Sequence, residues 1–256
     1  MLVRERMTAN PIVVHPETFF EEALVLLREK KIRRLPVVDK QGMLVGIVVE
    51  KDLLYASPSP ATSLNVYEVH YLLSKLAIKD VMTKRVITVA EDCPLEEAAR
   101  IMIDHKIGSL PVVRGKQLVG IITETDIFKV MAEALGGRAK GVRVVMHVPE
   151  VKGELAKVTA KIAELGGNIV SLAIFLSSDA QHRQVTLKVQ DVKRENLVAA
   201  LEKTGAQIVD VREITAEYQP QLFASVIPLP WICTWAPVCT VTVPAAPTPV
   251  PKAPLT

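Results

Sequence analysis

One residue pair in this chain has the types and spacing to do chemistry, and a second copy keeps half of it. In the segment GIITETDI, residues 120–127, Thr123 precedes Asp126 by three positions at the start of an apolar-periodic stretch. One reading is a capping box, in which the threonine caps a helix and the aspartate returns a hydrogen bond to the cap residue. The other reading uses the same geometry for a ligand. A helix N-terminus offers free N–H groups and a positive dipole end to phosphates, Thr123 adds a hydroxyl donor, and Asp126 can accept from two ribose hydroxyls. A second copy, GIVVEKDL at residues 46–53, keeps Gly46 and Asp52 but has Val49 in the threonine position. Valine has no side-chain cap to offer, so an aspartate that persists without it tilts the balance toward the ligand. An acid in a helix's first turn is favourable in any case, so both readings stay open.

A basic cluster adds a third candidate. Lys30, Lys31, Arg33 and Arg34 stand just before an LPVV strand, either as a solvated face or as phosphate contacts, for which arginine's planar fork is suited. The second copy has Gly108 and Ser109 there. Other signals carry less. The histidines His15, His70, His105, His147 and His182 show no ligand spacing, so no metal site is expected. Gly136, Gly137 and Gly141 imitate a nucleotide loop but follow a helical pattern and not a strand. No nucleophile–base set or poised carboxylate pair can be assembled, so no catalytic residue, enzyme activity or cofactor is expected.

The elements that must position these residues are written twice. MTANPIVV, EEA, KIRRLPVV and LVGIVVEKDLL, beginning at residues 7, 21, 31 and 44, reappear as MTKRVITV, EEA, KIGSLPVV and LVGIITETDIF at 82, 96, 106 and 118, an offset of about 75 that drops to about 74 after Val113. A fixed-period duplication predicts one unit packed on its copy, with clefts between. Each copy reads as strand (residues 11–14 in the first), helix (18–31), two short apolar strands joined as a hairpin (35–38 and 44–49), and a helix from near Glu50. Residues 1–56 and 78–135 are the two copies, 57–77 a helical connector opened by SPSPATS, and 136–140 a linker begun by the helix stop Gly136–Gly137.

Residues 141–214 have another grammar. Strand, helix, two strands, helix and strand follow in order, with Leu155, Val158, Ile162 and Leu165 on one helical face; βαββαβ is the ferredoxin-like unit. From 219 to 256 the chain holds nine of its 17 prolines and both tryptophans, and reads as a disordered tail or a reading-frame artefact. Residues 222–243 are uncharged and long enough to span a bilayer, but Pro228, Pro230 and Pro237 interrupt them, so no membrane anchor is expected.

Composition sets outer bounds. A net charge of +3 without an arginine-rich run gives no case for nucleic acid. Three cysteines, Cys93, Cys233 and Cys239, fit no disulfide framework, and with no secretory signal visible the expected compartment is the cytoplasm.

The doubled MT…V start, LPVV strand and GIITETD ending resemble paired CBS domains, the Bateman module that senses adenine nucleotides. The resemblance covers residues 1 to about 135. It implies an α/β fold of tandem repeats with two clefts, each joining the threonine and aspartate of one repeat to the first strand and pre-LPVV residues of the other. Carried over, one cleft takes Thr123, Thr125 and Asp126 with Met7, Ile12, Ile32, Arg33 and Arg34. The second takes Asp52 with Met82, Ile87, Ile107, Gly108 and Ser109, and Val49 departs from the pattern, so the Thr123 cleft is the first expectation. The βαββαβ segment resembles an ACT domain, a small-molecule regulatory module. That implies an amino acid or related metabolite held between two such units by Val151, Lys152, Gly153, Glu154 and Leu155 with Asn168 and Ile169. The whole arrangement resembles bacterial CBS–ACT proteins of acetoin utilisation. The function implied is a regulatory sensor of AMP, ADP or ATP, homodimeric and acting on a protein partner; the alternative is a structural module with vestigial clefts.

Overall fold

The computed structural model describes residues 1–56, 65, 68, 73–177, 179 and 181–215. Most of the expected connector and the tail from residue 219 lie outside them. In the first repeat a 3-10 turn (Val3–Glu5) is followed by β1 (Thr8–Ala9), α1 (Phe20–Glu29), β2 (Arg34–Val38), β3 (Leu44–Val49) and α2 (Glu50–Ala56). The second has α3 (Ile78–Val81), β4 (Val89–Ala90), α4 (Leu95–His105), β5 (Ser109–Arg114), β6 (Gln117–Thr123) and α5 (Glu124–Ala134).

Duplication of sequence becomes duplication of core. Helix α1 buries Phe20, Ala23 and Leu27, the i, i+3, i+7 face of an amphipathic helix, and α4 buries Leu95, Ala98 and Met102 at the same three positions. Against them pack Val14, Leu35, Val37 and Val48 in the first core, and Val89, Leu110, Val112 and Ile122 in the second.

The opening segments are exchanged. Val3 is fully buried in the core of the second repeat, and its counterpart Ile78 in the core of the first. The Val3 N–H donates to the Cys93 carbonyl at 2.9 Å and the Ile78 N–H to that of Thr18 at 2.9 Å. Each repeat is therefore completed by the other's first turn. Strand β1 likewise crosses to pair antiparallel with β6, in a sheet ordered β1-β6-β5-β4, while Thr83 bridges Ile47 on the β2-β3 hairpin.

Two local expectations are corrected. The strand expected at residues 11–14 is a single parallel bridge, Val14 to Val37, and the ladder lies earlier at Thr8–Ala9. Pro11 has no N–H to give a ladder. Helix α1 starts at Phe20 instead of Thr18, because Thr18 is used otherwise: its hydroxyl accepts from the His15 N–H at 3.1 Å.

The third core belongs to β7 (Gly141–Pro149), α6 (Glu154–Glu164), β8 (Asn168–Leu176), β9 (His182–Gln190), α7 (Arg194–Glu202) and β10 (Gln207–Ile214). The sheet is antiparallel throughout and ordered β10-β7-β9-β8, resembling a ferredoxin-like unit. Alternating Val142, Val144, Met146 and Val148 of β7 face Val158 and Ile162 of α6 and Leu197 and Leu201 of α7. Strands β10 and β8 form the edges.

Candidate functional site

A cavity of about 470 Å³ opens between the two repeats. Ile47, Val49, Glu50, Lys51 and Asp52 line it from the end of β3 and start of α2, with Arg33 and Arg34 from the entry to β2. Thr83, Arg85, Val86 and Ile87 line it from the crossing segment of the second repeat, with Lys106, Ile107, Gly108, Ser109 and Pro111. The crossing brings these walls together, and the Ile47–Thr83 bridge fastens them. Five cationic side chains, Arg33, Arg34, Lys51, Arg85 and Lys106, meet two acids, Glu50 and Asp52. Positive potential over an apolar floor of Ile47, Val49, Ile87 and Ile107 suits a ligand with a flat apolar body and an anionic end.

The aspartates do cap their helices, by half of the expected box. Asp52 Oδ2 accepts from the Val49 N–H at 3.2 Å, and Asp126 Oδ2 from the Thr123 N–H at 3.1 Å. The Thr123 hydroxyl does not cap an amide; it donates to the same Asp126 oxygen at 2.7 Å. The bond needs only a backbone N–H from the cap residue, so valine serves as well as threonine. The persistence of Asp52 beside Val49 thus has a structural cause and is no argument against a cap. The same device opens the exchanged turns, where Glu5 accepts from the Leu2 N–H and Asp80 from the Ala77 N–H, both at 3.1 Å. The two aspartates differ in what remains. Asp126 Oδ1 is taken by Lys129 at 3.2 Å, whereas Asp52 Oδ1 has no partner among the described residues and belongs to the cavity wall.

Of the second residue set, Asp52, Ile87, Ile107, Gly108 and Ser109 all line this cavity; Met82 does not, and packs on the first repeat's core with its thioether against Gly46. The first set divides. Met7 sits against Gly120, beside the Thr123 strand, because β1 crosses there. Ile32 packs on the first repeat's core, and Ile12 and Thr125 are exposed. Arg33 and Arg34, expected with Thr123, line the Asp52 cavity. The hairpin register is the reason: Arg34 pairs directly with Val49, which holds it beside the start of its own repeat's α2. Arg34 still reaches toward the other set, its Nη2 3.6 Å from Oε1 of Glu124. Sequence reasoning missed Lys51, Arg85 and Lys106. Their signal was available, since Lys51 adjoins Asp52, Arg85 stands two before Ile87 and Lys106 precedes Ile107.

Helix α5, which follows Thr123, runs to the second domain. Its end is held by Lys188 of β9, a lysine only 4% exposed whose Nζ donates to the carbonyls of Gly136 at 2.6 Å and Ala139 at 3.0 Å. Burial, and next the Arg143 charge, push this amine below the usual lysine range. Gly136 has φ +64°, and a Cβ there would lie 3.0 Å from the Ser171 hydroxyl, so the turn requires glycine.

In the second domain a cavity of about 540 Å³ gathers Val151, Gly153, Glu154 and Leu155 with Ile174 and Arg183. Glu154 is buried and accepts from Lys157 Nζ at 2.6 Å. Asn168 and Ile169 are not part of it, and Lys152 does not line it. Asn168 pairs with Gln190 at one end of the sheet, while the loop at Pro149 pairs with His182 at the other; the nine residues of β8 separate them by roughly 27 Å. One chain therefore cannot bring the seven expected residues to one ligand.

Among the described residues no group of three or more His, Cys, Asp or Glu could hold a metal ion, and no helix is long and apolar enough to cross a membrane. The family model described as "CBS domain" matches residues 3–59 and 78–133. A CBS domain-containing protein of Dictyostelium discoideum is 31% identical over 136 residues, 53% of this chain and 94% of that protein. Among solved structures, a Vibrio cholerae protein described as an acetoin-utilization candidate matches at 34% identity and TM-score 0.45, over 53% of this chain and 93% of the other. CBSX2 of Arabidopsis thaliana, solved in complex with AMP, matches at 35% identity and TM-score 0.43, over 51% and 95%.

Proposed function

Since the chain belongs to the CBS-domain family, whose domains are regulatory and non-catalytic modules, we propose that it is a cytoplasmic sensor that binds an adenine nucleotide between its repeats. The observation that carries this reading is the cavity at Asp52: about 470 Å³, apolar on its floor, ringed by five cations, with one aspartate oxygen left for a ribose. The phosphate faces Arg34, Arg85 and their neighbours, and the base lies over Val49 and Ile87. The Thr123–Asp126 side is the second cleft and the weaker of the two, its free carboxylate oxygen already paired with Lys129. Thermal unfolding with AMP, ADP and ATP tests the reading, because a ligand that binds only the native state raises the midpoint, by about 2.7 kcal/mol of stability at a hundred times Kd.

A second reading, a scaffold with vestigial clefts, has one observation in its favour: capping alone accounts for both aspartates. It requires equal midpoints with and without nucleotide. For the second domain the proposal is ACT-like dimerisation, with carbon (acetoin) utilisation as the regulated process and a protein partner downstream. Edge strand β8 exposes Ile174, Phe175 and Leu176, an apolar edge suited to a symmetric partner. A dimer would also bring Asn168 and Ile169 of one copy within reach of another's loop, the arrangement an amino-acid ligand there requires.

A further inference from the structure

The Arg34–Glu124 pair stands between the nucleotide cavity and helix α5. The Arg34 side chain is 16% exposed and lines the 470 Å³ cavity; Glu124 is 45% exposed and lines an adjoining apolar cavity of about 320 Å³ with Ile127 and Phe128. Gly108 lines both. A Cβ on Gly108 would collide with Arg34 Nη2 and lie 3.0 Å from Glu124 Oε2, so the missing side chain is what lets the two groups meet across the repeats. The Gly108 carbonyl also accepts the Glu124 N–H at 3.0 Å, fixing the helix start at that point.

The pair is loosely made. At 3.6 Å it exceeds good hydrogen-bond range, and the guanidinium, with five N–H donors, has no other described partner. Burial pulls Arg34 below the usual arginine range and the Glu124 charge only partly restores it. An under-compensated cation on a cavity wall has capacity for a stronger anion. Helix α5 packs on the second repeat's core through the partly buried Ile127 and Val130. It has no fully buried residue, and its ends are held by charge: Glu124 by Arg34, Glu133 by Arg6 at 2.8 Å, and the following carbonyl of Gly136 by Lys188 of the second domain.

We propose that Glu124 and the phosphate of a bound nucleotide compete for Arg34, so that ligand entry weakens the hold on the first turn of α5, the helix whose far end is fastened to the second domain. This rests on the nucleotide reading and supplies its output: the signal leaves the cavity as a carboxylate losing its partner. Glu124 acts as a positioning residue, holding Arg34 away from the ligand.

Calorimetric titration of the full chain with AMP and with adenosine is the test. Glu124→Gln removes the competitor, so AMP binds about two- to fivefold more tightly than to wild type, the size of a half-exposed ion pair. Adenosine, with no phosphate, gains nothing, and the AMP gain disappears when Arg34→Ala is added to Glu124→Gln. Hydrogen exchange supplies a second readout, with AMP speeding exchange in the first turn of α5 in wild type. Equal or weaker AMP binding by Glu124→Gln, or an equal gain for adenosine, overturns the competition while leaving nucleotide binding intact. If wild type shows no saturable heat with AMP, the nucleotide reading itself fails and this inference with it.

Discussion

Replacing Lys188 by Met puts the junction between the repeats and the second domain to a quantitative test. The methionine keeps most of the buried stem, so the change isolates the ammonium and its bonds to Gly136 at 2.6 Å and Ala139 at 3.0 Å. Gly136 is buried, and its carbonyl keeps only the bond from the Ala139 N–H at 3.0 Å; Ala139 is only partly covered and its carbonyl can be rehydrated. Loss of a hydrogen bond to a charged donor costs about 1.5–3 kcal/mol, against which stands relief from desolvating the charge. The expected net loss is about 1 kcal/mol, read as a lower urea midpoint in equilibrium denaturation. The dependence on pH provides an internal control. The Lys188 pKa is lowered in the fold, so across the alkaline window below its ordinary value of 10.5 the unfolded chain binds more protons than the native one. Stability due to this group therefore rises with pH in that window, and Lys188→Met lacks the rise. A variant that unfolds at the wild-type midpoint, with the same alkaline slope, refutes the role assigned to the ammonium.

Three further outcomes follow from the same geometry. Asp52→Ala should cost about 1 kcal/mol through loss of the bond from the Val49 N–H and of an acid at the helix N-terminus, and Asp52→Asn less, both measured by thermal unfolding without ligand. Gly136→Ala should cost about 1–2 kcal/mol, since φ of +64° is unfavourable for alanine and its Cβ presses on Ser171; urea denaturation reads it. The Glu91 carboxyl, bonded by Arg114 at 2.8 and 2.9 Å, should titrate below the ordinary 4.5 in carbon-detected NMR and return toward it in Arg114→Gln. Because that pKa is depressed, the pair's stabilisation is present above 4.5 and is lost as the pH falls through the folded value.

Much of the scaffold was legible because its determinants are local and repeated. Phe20, Ala23 and Leu27 have the period of a helix face, and Leu95, Ala98 and Met102 repeat it, so the two cores could be read without knowing how they meet. How they meet was not legible in the spacing alone. The exchange of Val3 and Ile78 between cores depends on long-range burial that leaves no periodic trace in a turn of three or four residues. The register that sets Arg34 opposite Val49 is what places the arginines on the Asp52 cavity and not on the Thr123 side. The role of Gly108 was hidden for a similar reason: only the structure shows whose side chain fills the space a glycine leaves. Lys188 stands between Leu187 and Val189, where strand alternation makes it an ordinary polar position, and only the fold makes it an anchor through carbonyls about fifty residues earlier.

On the proposed function, an adenine nucleotide occupies the cavity at Asp52. The most direct measurement is calorimetric titration of the full chain with AMP, comparing wild type with Asp52→Ala and Asp126→Ala. Saturable binding is expected, which Asp52→Ala abolishes or weakens at least tenfold, about 1.4 kcal/mol, and which Asp126→Ala largely retains. Saturable binding lost in Asp126→Ala but kept in Asp52→Ala, or no saturable binding to wild type, would contradict it.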